Sequence, residues 1–176
     1  ILVHKIAGAK AETGASLEEV KAVAEKVIAN VRTMGMAISP CTVPAAGKPG
    51  FELPEDEMEI GIGIHGEPGT HRAKIASADE IAKTLLDKIL ADIDYKNSEV
   101  VLLVNGMGAT PLMELYIINN FVQDYLAAAG VKVYDTMVGN YMTSIEMAGL
   151  LLTQLKLDDE TKKLYFPTGD PSRLKR

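Results

Sequence analysis

Three side chains able to handle protons, metals or carbonyl compounds stand close together in residues 61–71, GIGIHGEPGTH: His65, Glu67 and His71. A neutral imidazole is a base, a nucleophile and a metal ligand near neutral pH. Four glycines and a proline share those eleven residues. Small neighbours let a ligand approach a ring closely and let the backbone turn sharply. His65, flanked by Gly63 and Gly66, is the candidate nucleophile. The rival chemistry is a zinc hydrolase using His65, Glu67 and His71, all residue types that bind zinc. Pro68 and Gly69 keep these three off one helix face, so a metal site would require the loop to fold them together, and no fourth ligand stands nearby. The plainest alternative is a tight turn with two exposed rings.

Other stretches carry weaker chemical signals. GIGIHG matches the Gly-x-Gly-x-x-Gly pattern, but a dinucleotide site needs a helix to start directly after the strand. Here the first two glycines fall inside a strand pattern, and the next helix waits until Ala78. NGMGATP joins a buried strand to a helix start, where backbone N–H groups suit anions; ligand contact and a simple turn both remain open. The single cysteine, Cys41 in AISPCTVP, can form no disulfide within the chain and has no histidine beside it, so it is not read as a nucleophile. His4 lies among apolar helix residues and reads as structural, the PEDE run as a solvated loop edge, and the methionines as core filler.

The elements that must position these residues follow from periodicity and caps. Residues 2–12 read as a helix closed by Gly14. Ser16 with Glu19 forms a capping box ahead of a helix over 17–34, closed by Gly35. Residues 36–43 read as a strand, with Pro40 marking an edge or bulge, and 43–57 as a loop. The alternation in MEIGIGI makes 58–64 a strand that delivers His65 at its end. Ser77 and Glu80 cap a helix over 78–93. EVVLLVN (99–105) reads as a buried strand, Thr110 and Pro111 as N-cap and first residue of a helix over 111–129, and 131–138 as the next strand. The apolar composition of the 111–129 helix on all sides predicts cover on both faces. After GNYMT, a short helical turn, a strand over 150–157, a helix over 158–164 and a polar tail complete the chain. The expected fold is α/β: a two-layer domain with a mixed β-sheet, helices packed on it and one β-α-β unit over 99–138 with a right-handed crossover.

Composition narrows the function classes. The chain has 176 residues, 47% of them hydrophobic, enough for a core. A net charge of −6 argues against a nucleic-acid partner. No apolar run reaches membrane-spanning length, so no membrane is expected. The lone cysteine suits a cytoplasmic protein. The first residue is Ile1 and the first helix reads as already under way, so the chain is expected to be part of a longer protein.

MEIGIGIHGEPG, VVLLVNGMGATPLMELYI and VGNYMTSIEMAG, in that order and preceded by HKIAGAKAETGASLEEV, resemble the substrate-binding subunit of dihydroxyacetone kinase over about residues 1–160. The resemblance implies that His65 bonds covalently to the carbonyl carbon of dihydroxyacetone as a hemiaminal, with Gly66 and Glu67 beside the substrate and Glu67 orienting the ring. It implies a phosphotransferase of glycerol metabolism, a cytoplasmic homodimer, and no cofactor on this chain. The nucleotide would be carried by a partner subunit that donates the phosphoryl group, as in the phosphotransferase-linked form; the ATP-using form has a fused domain instead. On this reading residues 1–165 form the C-terminal α/β domain of the subunit, without its N-terminal domain and that domain's acid and base groups, and 166–176 form a polar tail. A paralogue that binds the ketose and acts as a co-regulator of transcription is the alternative.

Overall fold

The computed structural model describes residues 1–65 and 67–166. In chain order these form α1 (Leu2–Glu12), α2 (Leu17–Asn30), β1 (Val31–Ala37), β2 (Glu57–Ile60), β3 (His71–Lys74), α3 (Ala78–Asp92), β4 (Glu99–Gly106), α4 (Leu112–Ala128), β5 (Lys132–Gly139), β6 (Gly149–Leu157) and α5 (Asp159–Tyr165). Both serine capping boxes form: Ser16 and Ser77 accept the N–H of Glu19 and Glu80, whose carboxylates reach back to the serine N–H. Asp158 and Thr161 make the same reciprocal pair at α5. Each satisfies two helix N–H groups that would otherwise lack partners.

The strands form one mixed sheet in the order β3-β2-β1-β6-β4-β5. β4 and β5 run parallel, with Val100 beside Val133 and Leu103 beside Met137, so the expected β-α-β unit is present. β2 is antiparallel to both β1 and β3. Leu150 and Leu152 of β6 join the larger core beneath α3 and α4, with Leu85, Leu86, Leu115 and Leu126. Leu151 points to the other face, as the two-residue strand period requires, and meets a smaller cluster of Ala37, Cys41, Ile62, Met107 and Met147.

The chain divides into two compact units, one of Ile1–Val31 with the chain from Leu155 on, the other Arg32–Gln154. In the first, α1, α2 and α5 bury Leu2, Ile6, Val23, Val27 and Leu164. Lys26 Nζ lies 3.0 Å from Asp158 Oδ2 and 2.5 Å from Glu160 Oε2. Burial pushes the Asp158 carboxyl upward, but the Thr161 N–H and Lys26 outweigh it and bring it to about 2. The second unit contains His65 and the hairpin that carries it.

Several boundaries differ from the sequence expectation. The helix over 17–34 stops at Asn30, and Val31–Ala37 is a strand that includes Gly35, the expected helix stop. Hydrogen-bond partners in the sheet override the helical spacing of Val31 and Met34. The strand expected over 36–43 ends at Ala37, and Cys41 is buried with its Sγ 3.3 Å from Ser144 Oγ. The strand expected over 58–64 ends at Ile60, because Gly61 turns the chain with φ of +88°. The short helical turn expected after GNYMT is instead a loop, with a turn at 145–146 ahead of β6. Pro111 is the N-cap of α4, and Thr110 is not: its hydroxyl donates to Gly149 O at 2.7 Å and accepts from Gly149 N at 2.9 Å. Nor is α4 covered on both sides, since Leu112, Met113, Tyr116 and Ile117 are half exposed or more. The exposed tail expected over 166–176 lies, beyond Phe166, outside the described residues.

Candidate functional site

His65 stands on the loop of a hairpin. β2 and β3 pair with Ile60 opposite His71, and residues 61–70 join them. The segment therefore links two antiparallel strands, with no helix following it, which removes the dinucleotide reading. The His65 side chain is 80% exposed. Its Nδ1 lies 2.9 Å from Glu67 Oε1, and its backbone N–H donates to Glu67 Oε2 at 3.1 Å. One carboxylate thus grips the ring and the backbone of the same residue. The N–H of Glu67 itself, then the His65 ring, hold the Glu67 carboxyl below the ordinary carboxylate range. An ionised carboxylate only accepts, so Nδ1 carries a proton, and in the neutral ring the lone pair is then on Nε2.

Two glycines have a definite steric task. A Cβ on Gly63 would collide with the Glu67 carboxylate. A Cβ on Gly69 would collide with Ile60 O and meet Glu59 Oε1 at 2.7 Å. The glycine spacing therefore admits other parts of the same loop, in particular the carboxylate that orients His65. Gly66, the other residue expected beside the substrate, lies outside the described residues.

The three expected zinc ligands are not brought together. His71 belongs to β3, and its Nδ1 lies 3.0 Å from Thr70 Oγ1. Among the described residues no three His, Cys, Asp or Glu side chains are grouped so as to hold a metal ion. His4 is exposed on α1 rather than packed among its apolar neighbours.

The other two motif segments meet the hairpin's floor. Ile62 shares the smaller cluster with Met107 of NGMG and Met147 of the 140–147 loop, and Ile64 packs against it. Asn105, 1% exposed, joins these segments. Its Oδ1 accepts from Tyr141 N and Met142 N, both at 2.9 Å, and its Nδ2 donates to Met142 O at 2.7 Å and Gly106 O at 3.0 Å. Every hydrogen-bonding position of that amide is used. Asn105 was not singled out from the sequence; its signal is a polar residue ending an apolar strand. Ile145 in the same loop holds φ of +54°, a costly conformation for a β-branched residue.

An α/β domain that presents a histidine–carboxylate pair on an exposed hairpin is the class that fold and site define. The Dak1 domain model matches residues 1–170, and the chain belongs to that family. It is 61% identical over 161 residues to the PTS-dependent dihydroxyacetone kinase 1, dihydroxyacetone-binding subunit DhaK, of Listeria innocua, covering 91% of this chain and 49% of that one. It is 41% identical over 174 residues to the DhaKLM operon coactivator DhaQ of Lactococcus lactis, covering 96% and 53%. A solved structure titled dihydroxyacetone kinase operon co-activator Dha-DhaQ superposes with a TM-score of 0.85 at 40% identity, over 93% of this chain and 50% of that one. The chain spans about half the length of these relatives. Among the described residues, no helix is long and apolar enough to cross a membrane.

Proposed function

We propose that this chain supplies the ketone-holding part of a dihydroxyacetone kinase subunit, a phosphotransferase, and that His65 captures the substrate as a hemiaminal. The observation that carries the reading is the 2.9 Å contact between His65 Nδ1 and Glu67 Oε1 on an exposed, glycine-bearing loop. With the proton on Nδ1, the Nε2 lone pair adds to the carbonyl carbon. The C–N bond forms as the C=O π pair moves onto oxygen. The ring becomes a cation, which Glu67 stabilises and can relieve of the Nδ1 proton. As Glu67 takes the Nδ1 proton the alkoxide takes up one in its place, so the adduct is neutral and no other group leaves. Such capture accepts a ketose and rejects glycerol, which has no carbonyl. It also holds the terminal hydroxyl still for phosphoryl transfer.

Gly66 and Glu67 are the substrate neighbours in this reading. The nucleotide is brought by a phosphoryl-donor subunit, this chain binds no cofactor of its own, and further acid and base groups come from polypeptide outside residues 1–176. The protein acts in the cytoplasm as a homodimer. The 61% identity to a dihydroxyacetone-binding subunit supports the substrate class.

The test is carbon-13 NMR of the intact polypeptide with dihydroxyacetone labelled at its carbonyl carbon, beside His65→Ala. A protein-bound resonance in the tetrahedral region, absent from the variant, is expected. Its absence from folded wild-type protein overturns the reading. A second reading, a ketose-sensing co-regulator, draws on the 41% identity to a coactivator and shares the same capture chemistry. Turnover of the captured ketose on adding a nucleotide-loaded donor subunit separates the two.

A further inference from the structure

The loop that carries His65 is closed at its base by one carboxylate. Glu59 lies in β2, opposite Ala37 on one side and Arg72 on the other. Its side chain is only 13% exposed. Oε1 accepts the N–H of Gly69 at 3.0 Å, and Oε2 accepts from Arg72 Nε at 3.1 Å. Arg72 Nη2 in turn donates to Glu52 O at 2.8 Å. Beside this clamp, Thr70 donates to Ile60 O through its N–H at 2.6 Å and its hydroxyl at 3.1 Å. Gly69 lacks the Cβ that would fill the space where the Glu59 carboxylate lies.

The direction of the imidazole depends on where the two ends of this loop sit. Glu67, which grips the ring, is two residues from Gly69. Moving Gly69 moves Glu67, and with it the bearing of Nε2. Capture requires a near-attack arrangement, and small displacements of the reacting atom are costly.

We propose that Glu59 is a positioning residue for carbonyl capture: its hydrogen bond to Gly69 fixes the loop end and so aims His65. The proposal rests on the reading that His65 captures the ketone. Glu59 touches neither substrate nor reacting atoms.

The experiment measures binding of carbonyl-labelled dihydroxyacetone by the tetrahedral carbon-13 resonance in the intact polypeptide. Wild type, Glu59→Gln, Glu59→Asp and Glu59→Ala are compared, with circular dichroism of each. Glu59→Gln keeps an oxygen at the same reach for the Gly69 N–H and is expected to capture within about threefold of wild type. Glu59→Asp keeps the charge but is one methylene short, and with Glu59→Ala it is expected to weaken capture about tenfold or more. If Glu59→Ala does not fold, the contrast between Asp and Gln carries the test. Undiminished capture in Glu59→Asp overturns the proposal, as does Glu59→Gln as weak as Glu59→Asp, because charge rather than the Gly69 bond would then be at work. A wild type without the tetrahedral resonance overturns the capture reading, and the proposal falls with it; a wild type that captures while the variants behave alike overturns the proposal alone.

Discussion

The β4–α4–β5 unit and the His65 hairpin are both strand-to-strand connections of one sheet, yet they are held by different forces. Val100–Gly106 of β4 are all buried, and the side chains of Val100, Leu102 and Val104 are locked by apolar contact in the core shared with α3 and α4. β2 and β3 are four residues each at the sheet's edge. His65, Glu67, Thr70, His71 and Arg72 are exposed. What fixes them is a set of carboxylates: Glu67 on His65, Glu59 on Gly69 and Arg72, and Asp56 and Glu57 on Lys74. The contrast teaches that stability and chemistry are drawn from separate parts of the unit. A side chain such as His65 can be exposed and still aimed, because its neighbours are tied by directional bonds rather than buried.

Substitutions can break this division at either end. His65→Ala is expected to abolish the tetrahedral resonance while shifting unfolding by no more than about 0.5 kcal/mol, as an exposed side chain should. Leu102→Ala, at a fully buried position, is expected to lower stability by about 2–5 kcal/mol in urea titration, with capture intact in the folded fraction. Gly63→Ala sharpens the comparison from inside the loop. Its Cβ displaces the end of a flexible side chain, so unfolding should hardly change, while capture weakens about tenfold through loss of the Glu67 grip.

Smaller effects come from titration and caps. Asp158 has a folded value depressed to about 2 from 3.8, so its stabilising contribution is complete above the ordinary value and is lost as pH falls through 3.8 toward 2. The side chain is 51% exposed, so solvent screening leaves about 1 kcal/mol, which Asp158→Asn should remove from the acid limb of a stability profile. Glu67 is also depressed, so its grip on His65 persists as pH falls to the ordinary carboxylate value of 4.5 and is released below it. Ser77→Ala, which removes the side-chain cap of α3, should cost about 1 kcal/mol in thermal unfolding and leave capture unchanged.

Legibility in the sequence follows the same division. β4 was readable as a short unbroken apolar run, α3 from its apolar residues at every fourth position and α4 from its length and apolar composition, and Ser16 and Ser77 announced their helices. β3 was not readable: HRAK is short and polar, and it becomes a strand only because β2 supplies partners and counter-charges. His65 was visible from its glycine context, and the role proposed for it comes from resemblance. Glu59 and Asn105 were hidden, since a single polar residue in a strand says nothing about which distant backbone group it will hold. Thr110 carried a misleading signal, because a Thr-Pro pair before a helix is an ordinary cap, whereas this hydroxyl is committed to β6.

The charge-held edge has a consequence for handling the protein. Lys74 lies 2.6 Å from Asp56, and both side chains are 69% exposed, so dissolved ions reach that pair freely. At physiological ionic strength, charge is already screened over about 8 Å, and at 1 M over about 3 Å. Concentrated salt should therefore slacken β2 and β3 while the apolar core tightens or stays as it is. Ionic strength becomes a dial that acts first on the end of the β2–β3 pair remote from residues 61–70.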